Sequence, residues 1–491
     1  MGVPKEHVAV LGEEQLDDVK HWADRTAERV IAFWGNQKKY VCASGITPSG
    51  VVHIGNFREI ITVDFVVRAL RDLGKEARFV YSWDDYDTFR KVPADMPQQQ
   101  MLKQHLRMPI VDIPDPFECK HESYARHHEV MVEEALPLVG IAPEFLSQSK
   151  QYRACRYAEG MKQALQAAPI IKKILDRYRK APLPDSWLPI TLFCVKCGKD
   201  TVEVTKYDGA YALSYTCACS HAETFDFRKS GIAKLLWRID WPMRWNVEQV
   251  DFEPGGKDHS TEGGSFSTAK DIVKQVWKRD PPVYQPYDFI SIKGHGGKIS
   301  SSKGGVVDLR EVLEIYEPAV VRYLFAGTRS HAEFAISFDL DVIKIYEDFD
   351  RCERIYYGAE EVSPKDTKKQ KRIYEFSCVG KPFPQMPFQP AFRHLTSVLL
   401  MNSLDIERAM RYYADQLNTG EDRERLRIRA QCAINWIEQH APEEFRYTLN
   451  VAVPKEVKLT TAERAALKEL SALLAKQWVD ADLHQEFYKI A

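Results

Sequence analysis

His53-Ile54-Gly55-Asn56 lies just after the turn Thr47-Pro48-Ser49-Gly50 and opens a segment with apolar Ile54, Ile60, Ile61, Phe65, Val66 and Leu70. The helix this pattern predicts begins with unpaired N–H groups and a partial positive charge, which suits a phosphate. Gly55 lets a nucleotide approach the backbone closely. His53 can donate a hydrogen bond to a phosphoryl oxygen as charge builds there, and Asn56 can donate through its amide. Alone, the same four residues also describe a capped helix start with an incidental histidine. The preceding strand and turn favour the phosphate reading.

A second candidate lies far along the chain, at Lys298-Ile299-Ser300-Ser301-Ser302-Lys303, between Gly294, Gly296, Gly297 and Gly304, Gly305. Its hydroxyls and its compact ammonium charges fit phosphate oxygens. A solvated linker has a similar composition. This loop, however, follows the apolar strand Phe289-Ile290-Ser291-Ile292 and precedes a helix start at Asp308-Leu309. Ligands of open α/β sheets bind at the carboxyl ends of core strands.

The third constellation is Cys194-x-x-Cys197 followed by Cys217-x-Cys219, with the turn residue Gly198 behind the first pair. Its reach fits a four-thiolate zinc knuckle, and four protein ligands leave no open position, so the Zn²⁺ is structural. His221 is the alternative to one cysteine. Reduced core cysteines are the competing reading.

To support these sites, the pattern predicts a helix over 15–35, a strand over 40–46, the helix from Ile54 to Gly74 and a strand over 79–82. This order opens a parallel-sheet nucleotide fold. A Pro-rich stretch from Pro93 to Pro116 precedes helices around 122–139 and 152–179. Short strands such as 211–215 occupy the cysteine segment, and helices near 230–237 and 260–279 lead to the strand before the glycine-rich loop. Helix dominates beyond 308. Lys365–Arg372 reads as a charged connector and 395–490 as an all-helical end.

The 491 residues allow about three domains. A hydrophobic fraction of 44% and a charged fraction of 28% are ordinary for a globular protein. The net charge of −2 neither supports nor excludes a nucleic-acid partner, which needs only a local basic surface. No run is long and apolar enough for a membrane span. Glu13, Glu14, Asp17 and Asp18 argue against a secretory signal, so a cytoplasmic location is expected.

Residues 53–56 and 298–303 resemble the HIGH and KMSKS signatures of class I aminoacyl-tRNA synthetases, in the same order and separation. The strings Thr47–Glu59, Trp83-Asp84-Asp85-Tyr86-Asp87, Trp237–Trp245 and Gly256-Lys257-Asp258-His259 resemble class I lysyl-tRNA synthetases in particular. Two positions depart from the signatures. Asn56 stands where the second histidine falls, and Ser301 where the second lysine of KMSKS falls. Lys303 can supply the missing charge, and whether Lys298 or Lys303 meets pyrophosphate stays open.

The resemblance implies an α/β fold: a Rossmann-type catalytic domain with a zinc-binding insertion, then an all-α C-terminal domain. The halves of the catalytic domain would be 1–92 and 231–310, around an insertion at 93–230 whose zinc segment is about 190–228. A stem-contact region at 311–365 and an anticodon-binding domain at 366–491 would follow. The implied reaction is activation of L-lysine with ATP and transfer to tRNA(Lys), with Mg²⁺ on the triphosphate and no membrane or DNA partner. His53, Asn56, Lys298 and Lys303 would be catalytic. Thr47, Gly55, Asp258, Ser300, Ser301 and Ser302 would hold ATP.

A lysine pocket needs acidic acceptors and an aromatic wall. By resemblance it would use Gly45, Thr47, Trp237, His259 and Tyr287, with Tyr284 close by, and Asp84, Asp85 and Asp240 could supply acidity. Read from residues alone, Trp237 and Trp241 are core packing. The resemblance also implies a second zinc at Asp115, Cys119, His121 and His127, against a polar surface helix. It implies an anticodon grip in the helical end, where Arg423, Arg425, Arg427 and Arg429 otherwise read as a solvated helix. Phe392, Tyr412, Tyr413 and Trp436 could stack on bases or pack in a core. Competing functions are a glutamate- or cysteine-type synthetase, a HIGH-type nucleotidyltransferase not acting on tRNA, and an inactive RNA-binding module.

Overall fold

A computed structural model describes residues 20–94, 96–293, 306–448, 457–476 and 480–490. Lys298, Ser300, Ser301, Ser302 and Lys303 lie outside the described residues, as do the first residues of the helix expected from 15.

Helix α1 (Trp22–Trp34) leads into strand β1 (Lys39–Ile46), helix α2 (Ile54–Asp72) and strand β2 (Glu76–Trp83). β1 and β2 pair in parallel from Lys39–Glu76 to Ile46–Trp83, as the strand–helix–strand order requires. Helix α3 (Tyr124–Ala135) and strand β3 (Glu144–Ser147) follow, and β3 joins β2 in parallel. The insertion then contributes β4 (Ile190–Leu192), β5 (Val202–Tyr207), β6 (Ala212–Cys217), β7 (Ala222–Asp226) and β8 (Ala233–Leu235). Strands β5–β6–β7 form an antiparallel sheet, and β4 pairs antiparallel with β8.

Helix α4 (Trp237–Glu248) and strands β9 (Phe252–Gly256) and β10 (Val283–Tyr287) return the chain to the main sheet. That sheet has five strands in the order β10-β9-β1-β2-β3, with every pairing parallel. Parallel strands covered on both faces are buried throughout. One core fills the α2 side and runs on into the C-terminal helices, and another joins the opposite face to α4 and the cysteine strands.

Four expectations are corrected. The helix expected near 230–237 is strand β8, and the helix starts at Trp237. The helix expected over 260–279 starts only at Ser265, after a short turn at Lys257–Ser260 and Gly263, whose φ is +73; it runs to Ile272 and continues as a wider π-helical turn over Val273–Trp277. Strand β11 (Ile290–Ile292), before the glycine-rich loop, is not in the main sheet; it pairs in parallel with β12 (Phe334–Ile336) alongside it. Lys365–Arg372 is not a connector but part of the helix Pro364–Ser377, capped by Ser363.

Strand β9 went unread because Phe252-Glu253-Pro254-Gly255-Gly256 carries the letters of a turn. Its glycine has a packing reason: a Cβ on Gly255 would sit 2.1 Å from the Tyr284 hydroxyl. The C-terminal region is helical from α5 (Leu309–Ile315) through Gly420–Gln439 to Asp480–Ile490, apart from β12. The boundary expected at 366 falls inside the helix Pro364–Ser377, which packs on the helices Pro318–Ala326 and Asp341–Tyr357.

Candidate functional site

His53 caps α2 in an extended conformation, and its N–H donates to Asn56 Oδ1 at 3.2 Å. The Asn56 oxygen is thereby committed to the backbone, which leaves its amide nitrogen as the donor. Gly55 is fixed by contact: a Cβ there would lie 2.9 Å from the His53 ring. The imidazole therefore lies against the bare Cα of Gly55.

The same turn meets both flanks of the glycine-rich loop. Ile54 N–H donates to the Val307 carbonyl at 2.8 Å, and His53 forms a bridge with Asp308. On the other flank, the Ile290 carbonyl lies 4.0 Å from the Gly55 Cβ position. Ile290, Val307 and Asp308, which bracket residues 294–305 in the sequence, thus all lie beside His53 and Gly55. Asp308 also caps α5 through a reciprocal pair with Glu311, which anchors the loop's exit.

A cavity of 620 Å³ opens at the carboxyl ends of β1 and β2; Thr47 and Ser49, ahead of the His53 turn, line it, whereas His53, Gly55 and Asn56 are not among its lining residues. Gly45, Thr47, Trp237 and His259 all line it, together with Asp84, Asp87 and Lys234. Thr47 Oγ1 donates to Asp87 Oδ2 at 3.0 Å, and Asp87 also takes the buried Lys234 ammonium. Desolvation opposes charge on Asp87, but Lys234 outweighs it and holds the carboxyl below its ordinary range. β8, the strand of Lys234, pairs with β4 just ahead of Cys194, so the insertion reaches the cavity floor.

A smaller cavity of 60 Å³ adjoins the first, sharing Gly45, Asp84, Trp237 and His259. Glu59, Trp241, Trp245 and Glu253 also line it. Trp237, Trp241 and Trp245 recur at i, i+4 and i+8 on α4 and so share one face. Ring centroids are 5.2 Å apart for Trp237 and Trp241, and 5.4 Å for Trp237 and His259. Of the two tryptophans read as core packing, Trp241 is buried, though it lines the smaller cavity, whereas Trp237 walls both cavities.

Glu59 is the residue that sequence reading missed. Its Oε2 accepts from the Tyr287 hydroxyl at 2.6 Å and its Oε1 from Gly45 N–H at 3.2 Å. Burial pushes its carboxyl up to about 8, against the Tyr287 hydrogen bond. Glu253, bonded by Trp241 and Trp245 through their indole N–H groups at 3.0 and 2.5 Å, is likewise raised by burial to about 7. A carboxylate on the mostly apolar α2 was the available signal.

The other expected residues divide. Tyr287 reaches the site through Glu59, and Tyr284 instead stacks on Phe266 at 3.7 Å. Asp84 lines both cavities and meets Arg244 at 2.7 Å; burial raises its carboxyl against that pairing. Asp240 is buried behind the cavities, bonded by Tyr152 and 3.3 Å from Arg244, and Asp85 is held by Ser147 and Ser149. Asp258 is exposed on the short turn before His259.

Both metal-type clusters assemble. The thiols of Cys194, Cys197, Cys217 and Cys219 lie within 4.8 Å of one another, with Cys194–Cys219 at 3.7 Å and Cys197–Cys217 at 3.6 Å. A tetrahedron with Zn–S bonds of about 2.3 Å has edges of roughly 3.8 Å, so the set fits. His221 is outside it, paired with Glu223 at 3.3 Å. Gly198 turns with φ +71 and its N–H bonds Cys194 O at 2.8 Å. In the second cluster the Cys119 sulfur lies 3.0 Å from His127 Nδ1, 3.1 Å from His121 Nδ1 and 3.3 Å from Asp115 Oδ2.

In the helical end, Arg425 and Arg429 are neither solvated nor open to a nucleic acid. Both are buried, with Arg429 on Glu317 and Asp350 and Arg425 on Glu353. Being four apart, they share the inward helix face. Arg423 donates to Leu417 O at 3.1 Å, and Arg427 pairs at the surface with Glu407. Phe392, Tyr413 and Trp436 are core; Tyr412 is exposed.

A parallel sheet with a histidine-capped helix after its central strand, Val307 and Asp308 joined to that cap and a cleft at the strand ends form the fold of class I aminoacyl-tRNA synthetases. The family model described as tRNA synthetases class I (K) matches residues 20–380, and the chain belongs to that family. It is 49% identical to a lysine–tRNA ligase of Borreliella burgdorferi over 96% of this chain and 90% of that one. Relatives of the same name include those of Treponema pallidum, 48% identical over 94% and 89%, and Thermococcus kodakarensis, 40% identical over 95% and 88%.

Proposed function

We infer that the protein is a lysine–tRNA ligase, which activates L-lysine with ATP and transfers it to tRNA(Lys). The observation that carries the amino-acid choice is Glu59, buried between Tyr287 and Gly45 beside the Trp237 wall. An ammonium group on an apolar stem satisfies that carboxylate and packs on the tryptophan. A glutamate side chain would add another carboxyl beside Glu59, Asp84 and Glu253, where burial already opposes the charged form of all three, which disfavours the glutamate alternative.

In the first step the lysine carboxylate attacks the α-phosphorus of ATP in line and expels pyrophosphate, with no covalent enzyme intermediate. The chain contributes position and donors. His53 donates to a phosphoryl oxygen, the Asn56 amide nitrogen offers a second donor, and Gly55 and Thr47 admit the nucleotide. By the family resemblance, Ser300, Ser301, Ser302, Lys298 and Lys303 meet the pyrophosphate, and Asp258 bonds the ribose. Mg²⁺ neutralises the triphosphate when bound. In the second step a terminal ribose hydroxyl of the tRNA takes the lysyl group from the adenylate.

Cys194, Cys197, Cys217 and Cys219 hold one structural Zn²⁺, and Asp115, Cys119, His121 and His127 hold a second. Residues 311–365 contact the tRNA stem and the helical end contacts the anticodon, with Tyr412 the exposed stacking candidate. The enzyme works in the cytoplasm; among the described residues no helix is long and apolar enough to cross a membrane. The test is charging of total tRNA with each labelled amino acid. Lysine alone should be incorporated, into the tRNA that reads lysine codons; incorporation of another amino acid instead would refute this reading.

A further inference from the structure

Arg58 lies one turn into α2 from the His53 cap and is only 3% exposed. Among the described residues it is in no ion pair, and its guanidinium meets backbone instead. Nη1 donates to the Ala332 carbonyl at 2.9 Å, and Nη2 donates to the Arg329 and Ser330 carbonyls at 2.9 and 2.7 Å. The same group lies over the Phe334 ring, 5.3 Å from its centroid. Burial pulls the guanidinium down to about 10, with Asp288 and Tyr287 acting against that pull, so it stays charged at neutral pH.

Burying a cation without a carboxylate opposes folding, and an apolar side chain of similar length would fill the same space with less penalty. An apolar chain cannot hold a backbone in one place, however. The rigid planar fork of Arg58 fixes the carbonyls of residues 329, 330 and 332 together, whereas an ammonium is a single point of charge.

The segment held this way is a junction. The carbonyl of buried Ser330 also accepts from Asp288 N–H at 3.1 Å, and its hydroxyl accepts from Gln285 Nε2 at 2.9 Å. Asp288 in turn pairs at 3.1 Å with Lys257, the neighbour of Asp258, and Glu333 lies 3.6 Å from the same ammonium. Phe334 opens β12, whose partner β11 is the strand ahead of residues 294–305. Arg58 therefore joins the helix that begins at His53 to the elements next to the other nucleotide residues. The lysine side has anchors of its own, because Tyr287 pairs with Gly256 in the main sheet and bonds Glu59. We propose that Arg58 is a positioning residue for the nucleotide half of the site, holding the His53 turn in register with the Lys257–Asp258 turn and β11. The proposal rests on the ligase reading above.

The test is Arg58→Lys, which keeps the charge and loses the fork. In pyrophosphate exchange with tRNA present, kcat should fall by about 10²-fold, the effect of misplacing a reacting group by about 1 Å. Calorimetric binding of lysine without ATP should keep its wild-type affinity. In a His53→Ala background Arg58→Lys should add little, because the register has no use once the histidine is gone; a residue that only stabilises the fold would add its full effect. Should Arg58→Lys not fold, Phe334→Leu, which removes the ring beneath the guanidinium, must show the same split between kcat and lysine affinity at a few-fold size. A wild-type kcat, an equal loss of lysine affinity, or additivity with His53→Ala overturns the proposal. Exchange driven by an amino acid other than lysine would overturn the ligase reading instead, and the same comparison made with that amino acid still decides the role of Arg58.

Discussion

A methyl group on Gly55 would lie 2.9 Å from the His53 ring and must displace it. Gly55→Ala is therefore expected to mimic His53→Ala, each lowering adenylate formation by roughly 10²-fold, the effect of losing one transition-state donor. Lysine-dependent pyrophosphate exchange, run with tRNA present, checks this; a fully active Gly55→Ala would separate the glycine from the histidine. Glu59 makes a second prediction. Replacing it with Gln removes a charge-assisted bond worth about 1.5–3 kcal/mol, so the KM for lysine should rise about 10- to 100-fold. Because burial raises the Glu59 carboxyl to about 8, it is protonated below that pH and must ionise to meet an ammonium. Lysine should then bind more tightly as pH rises from 6 to 8, by up to about tenfold per unit. Glu253, raised to about 7, adds to the lower part of that range. Glu59→Gln should flatten the upper part, which calorimetric titration of lysine binding measures. The sign for folding is the reverse: the native state holds a proton the unfolded chain has lost, so this group's contribution to stability declines as pH climbs from about 4.5 to 8.

The elements explain why the four-cysteine cluster bears on a site it does not touch. β4 enters the cysteine sheet and β8 leaves it, and their pairing sets Lys234 against Asp87 and, through Asp87, Thr47. Cys194→Ser should release one equivalent of zinc by atomic absorption and raise the KM for ATP and lysine together. His221→Ala should retain the metal, because His221 pairs with Glu223 outside the thiolate set. Zinc loss in His221→Ala would contradict the ligand set. A second equivalent that disappears on Cys119→Ala would establish the Asp115–His127 cluster as a site.

On the scale of the molecule, the helical end is fastened to the rest by buried charge. Arg429 pairs with Glu317 and Asp350, on segments that also pack against the catalytic core. Arg429→Met removes the nearest cation from those buried carboxylates and leaves only Arg425, 3.7 Å from Glu317 and 3.8 Å from Asp350, at a cost of up to about 3–5 kcal/mol. Thermal unfolding should show the loss, and the KM for tRNA should rise far more than the KM for ATP. An unchanged melting curve would remove the pair from this role.

Sequence alone determined the chemistry that short-range order can carry. Strand, turn and helix around His53 are adjacent in the chain, the cysteine spacing is local, and period and punctuation suffice to read both. What needed the tertiary structure was everything whose partner is distant. Glu59 acquires its hydrogen-bond partner only when β10 brings Tyr287 to it, and β9 is a strand despite its Pro-Gly-Gly because neighbours on both sides supply its hydrogen bonds. Arg425 and Arg429 read as surface because arginine usually is; acids from two other helical segments make them interior. Local patterns report backbone preference and which face is apolar, whereas burial of charge is decided by complementary groups that only folding brings together.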